Sequence, residues 1–399
     1  MAICETMEVG ESTRRGAGEP AFLRPLGTAR WTGASGAIFH HVVYSLVGCP
    51  APSDATFLLV RREHDGRRIV LGSGRTGRVP TLDLARIPAS LLIVGGGVEG
   101  CEFASLYSGL GTQVTVVELV PRLLPLEDEE ISQTMERELK KRGVDVRTGV
   151  TVDEIVRQPD VVTDHLRDGL SLNVEQVLVS VGRGFNSRGI GLEKAGVQVG
   201  ARGEIVVNER METNVPGVYA IGDVVGKAML AHVASQQGKV AVENFMGHSR
   251  AIDYDVIPIG IFTLPEIGRV GLTEQQARDR CVGAGKDPQQ GVKVGRFRYG
   301  GLGKAQATGD IQGFVKVVVD GESDRILGVH ILGAHATDLI HEAALAMHVG
   351  ATVSRVAEMI HAHPTLAEGL MEAMEDVHGQ AIHRHLALSW RRHHQSRWG

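Results

Sequence analysis

Cysteine is scarce in this chain. Cys4, Cys49, Cys101 and Cys281 are scattered, with no closely spaced pair to suggest a zinc site or a local redox couple. That distribution excludes a disulfide-stapled scaffold and fits a reducing compartment, so the cytoplasm is the expected location. Long apolar runs are also missing. Nothing approaches the roughly 20 consecutive apolar residues of a membrane span, and the first residues carry no signal-peptide core, so no membrane partner is expected. A formal net charge of -5, without a long basic run before the final residues, gives no reason to expect nucleic acid. Aromatic residues make up only 4% while glycines number 51, a balance that suits an α/β protein with many tight strand-to-helix turns. With 399 residues the chain is long enough for two or three domains with their own cores.

The strongest local pattern begins at Leu91. Leu91-Leu92-Ile93-Val94 reads as a buried parallel strand, and Gly95-Gly96-Gly97-Val98-Glu99-Gly100 follows it directly. Phe103, Leu106, Tyr107 and Leu110 then recur at helical spacing, Gly111 ends the helix, and Val114-Thr115-Val116-Val117 supplies a second strand. Strand, glycine turn, helix and strand make a Rossmann-type unit. Gly95 permits the tight turn, Gly97 lets the backbone approach a pyrophosphate, and Gly100 lets helix and strand pack closely. Amides at the helix N-terminus face the phosphates. Glu118 closes the second strand about 20 residues after the turn, where a carboxylate accepts hydrogen bonds from an adenosine ribose. That favours NAD over NADP, because a 2'-phosphate would meet Glu118 as a like charge, with Arg122 the nearby cation that argues the other way. Glu99 is the awkward residue: it suits the helix dipole yet repels a pyrophosphate if its side chain turns inward.

A second string, Gly72-Ser73-Gly74-Arg75-Thr76-Gly77, also has the GxGxxG spacing, but Pro80 and Pro88 interrupt the helix that should follow, so it reads as a loop. Downstream, Ile131, Met135 and Leu139 mark an amphipathic helix stopped by Gly143, and Val144-Asp145-Val146 resumes the sheet. Further strands are expected at 176–181, 203–207 and 218–221, a helix at about 231–245, an antiparallel hairpin from 315–319 and 326–332, and a helix at 337–349.

Four motifs beyond the turn carry a family resemblance. They are Val179-Ser180-Val181-Gly182-Arg183, Val218-Tyr219-Ala220-Ile221-Gly222-Asp223, Met229-Leu230-Ala231-His232, and His361-Ala362-His363-Pro364-Thr365 with Glu368. In this order the chain resembles the flavin-dependent pyridine nucleotide-disulfide oxidoreductases, dihydrolipoamide dehydrogenase above all, over about 86–383. The resemblance implies FAD beside NAD. Asp223 would receive hydroxyls of the ribityl chain, and Met229, Leu230, Ala231 and His232 would open a helix whose amides face the flavin. Glu102 and Gly182 are counted with these cofactor contacts, and no metal ligands are expected. His363 and Glu368 would be the catalytic pair, with Pro364 starting a helix and the carboxylate orienting an imidazole that takes a proton from a dithiol substrate. The helix at 337–349 would lie in a dimerisation domain, making the protein a homodimer, and an acyl-transfer complex is a candidate partner.

Family members also carry a front-end flavin-binding glycine turn and two cysteines separated by four residues. Neither occurs in this sequence. The expected architecture is therefore α/β with a Rossmann-type NAD domain at 87–184, an incomplete flavin-domain remnant at 1–86, a flavin-contacting segment at 185–255, an α+β dimerisation domain at 256–383 and a basic tail at 384–399. Two functions are carried forward. One is an FAD- and NAD-dependent oxidoreductase that converts a dithiol to a disulfide. The other is a catalytically silent NAD-binding dimer, favoured by the missing cysteine pair and by the loss of the flavin's main binding surface.

Overall fold

A computed structural model describes residues 25–32, 38–44, 86–157, 162–166 and 171–383. Strands β1 (Pro25–Thr32) and β2 (Ile38–Tyr44) form an antiparallel pair. The glycine string at 72–77 lies outside the described residues, as does the tail at 384–399.

The unit expected from Leu91 onward is present. Strand β3 (Ser90–Val94) leads through the glycine turn into helix α1 (Val98–Gly109) and strand β4 (Gln113–Glu118), then helix α2 (Glu129–Lys141) and strand β5 (Asp145–Thr148). Leu91, Leu92 and Ile93 are all buried, as a strand covered on both faces requires. Helix α2 starts where the Asp128 carboxylate accepts from the Glu130 amide, and it turns Ile131, Met135 and Leu139 inward. Between β5 and the returning strand, the chain makes an antiparallel three-stranded sheet of β6 (Val152–Arg157), β7 (Val162–Leu166) and β8 (Ser171–Val174). Strand β9 (Gln176–Val179) then pairs parallel to β3, giving the order β5-β4-β3-β9.

The segment after β9 departs from expectation. Residues 203–207 and 218–221 are not strands; each takes part in one isolated bridge, Val199 to Ile205 and Glu212 to Tyr219, among turn and loop hydrogen bonds. Their apolar residues fill a small cluster of Val197, Ile205, Ala220 and Val225 without a backbone ladder, so burial there mimics the sequence pattern of a strand. Helix α3 (Ala231–Phe245) follows as expected.

The C-terminal part is built on an antiparallel sheet ordered β10-β11-β14-β13-β12. Its strands are β10 (Ile259–Ile261), β11 (Glu266–Gly271), β12 (Val292–Arg298), β13 (Phe314–Asp320) and β14 (Ile326–Gly333). Helices α4 (Glu274–Gly283), α5 (Pro288–Gly291), α6 (Gly303–Thr308), α7 (Ala336–His348), α8 (Val353–Ala357) and α9 (Glu368–Val377) complete it. The expected hairpin is β13 and β14, and the expected helix is α7 shifted by one residue at each end.

The chain divides into two compact units. Gly182–Ile252 and the described residues before Pro88 make up one, and Pro88–Val181 with the described residues from Asp253 onward the other. Within the second unit the Rossmann layer and the C-terminal sheet share one hydrophobic cluster, in which Ile93, Val116 and Met135 join Ile261, Ile267, Phe314 and Leu332. A charged junction lies beside that cluster. The Lys316 ammonium, on a side chain only 4% exposed, pairs with Asp128 at 2.7 Å and Glu274 at 2.9 Å. Arg296 joins Glu130 at 2.8 Å and Glu274 at 3.0 Å, and Arg269 pairs with the buried Glu127. Burial alone would raise the Asp128 carboxyl, but hydrogen bonding to Lys316 and the surrounding positive charge outweigh it and hold Asp128 below its usual range.

Candidate functional site

The glycine turn is set by close packing at two of its three characteristic positions. Gly95 has φ +113, and a Cβ there would lie 2.1 Å from the Ser180 carbonyl oxygen. A Cβ on Gly100 would lie 1.9 Å from the Gly95 carbonyl oxygen. Gly97 is different, because a Cβ added to it would meet nothing within 4 Å. Open space in front of Gly97 is what a pyrophosphate approach requires. Gly97 is also the N-cap of α1 and has no side-chain cap, so the helix presents its first amides without an internal carboxylate or hydroxyl over them.

Glu118 stands across the turn at the end of β4. Its Oε2 accepts from the Gly96 amide at 2.6 Å and its Oε1 from the Val120 amide at 2.9 Å. A carboxylate has about four lone-pair positions, so these two bonds fix its orientation and leave acceptor capacity for ribose hydroxyls. Arg122, the cation that would suit a 2'-phosphate, donates to the Pro125 carbonyl oxygen at 2.7 Å. The donor set thus fits NAD. Glu102 Oε1 accepts from the Phe262 amide at 2.8 Å, which ties α1 to the C-terminal sheet. Beside it Cys101 is fully buried, and desolvation, followed by the charges of Glu102 and Glu118, pushes its thiol far above the ordinary range. Cys101 keeps its proton.

The residues assigned to the flavin lie in the other compact unit. Gly182 has φ +117 with open space at its Cβ position. Asp223 opens a short 3-10 turn, Asp223–Val225, and is bracketed by Gly222 and Gly226, both at positive φ. The Gly222 amide donates to Gln237 Oε1 at 2.6 Å, which anchors the turn to α3. Asp223 Oδ2 accepts from Arg183 at 3.0 Å, and the carboxylate remains half exposed. Met229 and Leu230 lead into α3, with Ala231 and His232 exposed in its first turn, and Leu230 supplies no side-chain cap. An acceptor carboxylate on a surface turn and an uncapped helix start suit a polyhydroxyl chain and electron-rich carbonyls.

His363 and Glu368 are brought together. His363 Nδ1 lies 2.8 Å from Glu368 Oε1, and Glu368 Oε2 accepts from the Thr365 amide at 2.8 Å. An ionised carboxylate only accepts, so Nδ1 carries a proton toward Glu368, and the ring, 72% exposed, leaves its Nε2 edge to solvent. Partial burial alone would raise Glu368, but the Thr365 amide and His363 outweigh it and hold the carboxyl below its usual range. One detail differs from expectation: α9 begins at Glu368, not at Pro364. Thr365 instead closes a separate turn, its hydroxyl donating to the Ala362 carbonyl oxygen at 2.7 Å. The pairing therefore runs from a loop to the first residue of a helix.

Sequence reasoning gave no role to the support of that loop. His361 is almost buried, with Nε2 2.8 Å from Glu342 on α7 and Nδ1 3.0 Å from the Met359 carbonyl oxygen. A second histidine-carboxylate pair, His383 with the buried Glu372, borders α9. The alternation His361-x-His363 was the available signal for the first; Glu342 had none.

Residues 48–238 match the family described as pyridine nucleotide-disulphide oxidoreductase, and residues 257–374 match the dimerisation domain of that family. The dihydrolipoyl dehydrogenase of Thermus scotoductus is 45% identical over 302 residues, covering 74% of this chain and 64% of that protein. The dihydrolipoyl dehydrogenase of Bacillus subtilis is 44% identical over 308 residues, covering 76% and 63% respectively. The chain thus spans less than two thirds of the length of these relatives. Among solved structures, the HOCl-induced flavoprotein disulfide reductase RclA of Escherichia coli superposes with a TM-score of 0.68 at 29% identity, over 74% of this chain and 66% of that one. LpdA of Mycobacterium tuberculosis superposes with a TM-score of 0.68 at 26% identity, over 87% and 72%. The glycine turn, the Glu118 carboxylate and the histidine-glutamate pair thus sit inside the two matched regions, and the chain belongs to the pyridine nucleotide-disulphide oxidoreductase family, of the lipoamide dehydrogenase type.

Proposed function

We propose that this chain is an FAD- and NAD-dependent oxidoreductase of the dihydrolipoyl dehydrogenase type, acting on a dithiol or disulfide as a homodimer. The observation that carries it is the glycine turn with Glu118 across it, which offers a pyrophosphate open backbone at Gly97 and a ribose a fixed acceptor. FAD, when bound, supplies a two-electron acceptor. Asp223 and the start of α3 would hold it. His363 then acts on the substrate: Glu368 fixes its ring, Nε2 accepts the thiol proton, and the resulting imidazolium is stabilised by the same carboxylate. Support for the dimer comes from the match over 257–374. An acyl-transfer complex and a cytoplasmic location belong to the same proposal.

A second reading, a nucleotide-binding dimer without disulfide chemistry, is favoured by Cys101, whose buried, protonated thiol is unsuited to exchange. A visible absorption spectrum before and after anaerobic NADH separates the two. A flavin band that bleaches supports the oxidoreductase; a protein that stays colourless after added FAD leaves only the second reading.

A further inference from the structure

The strand order β5-β4-β3-β9 places a switch point at β3: the chain leaves β3 through α1 to β4 on one side, and β9 returns to the other. A dinucleotide lies across such a point. Its adenosine belongs to the β4 side, where Glu118 stands, and its nicotinamide half to the β9 side. Glu99 is on the β9 side. It sits in the first turn of α1, and its Oε2 lies 3.5 Å from the hydroxyl of Ser180, the residue that follows β9. Ser180 is itself packed onto the turn, with its amide donating to the Val94 carbonyl oxygen at 2.7 Å. Two carboxylates thus flank the glycine turn. One is tied to backbone amides; the other reaches toward the strand end over which the reactive ring would lie.

The nicotinamide ring is cationic in NAD+ and neutral in NADH, while the pyrophosphate is the same in both. Repulsion between Glu99 and the pyrophosphate therefore cancels when the two forms are compared, and attraction to the ring does not. We propose that Glu99 is a specificity-determining residue that makes this site bind NAD+ in preference to NADH. The preference favours entry of the oxidised nucleotide and departure of the reduced one, which is the direction of dithiol oxidation. This inference rests on the NAD reading above.

The test is calorimetric titration of the full chain with NAD+ and with NADH, in the wild type and in Glu99→Gln, at several salt concentrations. The ratio of the NADH to the NAD+ dissociation constant should exceed one in the wild type and fall about fivefold in Glu99→Gln, the size of one partly screened charge pair. The wild-type ratio should also shrink as salt rises, which decides the matter even if the variant does not fold. An equal ratio in wild type and variant, or a wild-type ratio indifferent to salt, overturns the inference and leaves NAD binding intact. Failure of the wild type to bind either nucleotide overturns the NAD reading and this inference with it.

Discussion

Two pairs in the second compact unit each join a carboxylate to a nitrogen donor, and their surroundings differ. Asp128 and Lys316 are both almost fully buried, and their charges are spent on each other and on Glu274, joining α2 to the C-terminal sheet. Glu368 is also largely buried, but its partner His363 is exposed and engages the carboxylate through one ring nitrogen only. Saturating both partners makes a lock. Leaving one nitrogen to solvent makes a proton acceptor. The difference lies in burial and in valence: an ammonium has three donors to satisfy, whereas a neutral imidazole has one donor and one acceptor that need not face the same partner.

The sharpest way to break this comparison is to remove the nitrogen partner from each pair. Lys316→Met strands Asp128 beside Glu274 and should cost about 3–5 kcal/mol in urea unfolding, with part of the loss recovered in Lys316→Met/Asp128→Asn, which removes the buried charge and keeps an acceptor for the Glu130 amide. A loss under about 1 kcal/mol would show that the junction is solvated and not a lock. His363→Gln should do the reverse, lowering dithiol oxidation about 100-fold to 1,000-fold while leaving the unfolding midpoint and NADH affinity near wild type. Equal activity would remove His363 from the chemistry.

A third difference appears in pH dependence. His330 is fully buried beside the junction, donates from Nε2 to the Leu272 carbonyl oxygen, and its Nδ1 is without a hydrogen-bond partner. Burial pushes its pKa down to about 4, with Lys316 and Arg269 reinforcing the shift and Asp128 opposing it. The unfolded chain takes up that proton near pH 6.5 and the folded chain does not, so the contribution to stability is complete above pH 6.5 and drains away as pH falls toward 4. Up to about 3 kcal/mol is at stake. Asp128, held low, loses its own contribution only further into acid, as pH falls through its depressed folded value. Unfolding measured from pH 7 to pH 4 should slope downward in the wild type and flatten in His330→Phe; parallel slopes would exclude His330 as the source. The smallest effect is expected at the turn. Gly97→Val should weaken NAD binding about tenfold or more, with a stability loss of about 1 kcal/mol or less because its side chain enters open space at a position where valine is a poor N-cap; unchanged affinity would sink the nucleotide site.

What was legible in the sequence was local. Gly95, Gly97 and Gly100 announced the turn, and Ile131, Met135 and Leu139 announced α2, because each signal sits within one element. The hairpin of β13 and β14 and the helix α3 were read for the same reason. The residues at 203–207 and 218–221 misled, because apolar residues buried in irregular chain look like strand residues until the ladder is found missing. The junction was invisible: Lys316 and Asp128 are 188 positions apart, and Asp128 meets the amide of Glu274 across 146. No spacing rule reaches that far. His363 and Glu368 lie only five apart, yet their partnership was legible through family order and not through helix geometry, since the helix starts at Glu368 itself.

Glu118 has a consequence for how this site can evolve. The carboxylate proposed to read the ribose is also the clasp that holds the Gly96 and Val120 amides in register. A residue at 118 without an acceptor would release both backbone donors, and glutamine, with a single acceptor oxygen, could no longer hold each through a separate oxygen. Cofactor preference and loop geometry are therefore inherited together. A drift toward a phosphorylated nucleotide would call for a residue at 118 that still accepts from those amides, or for a new acceptor beside them.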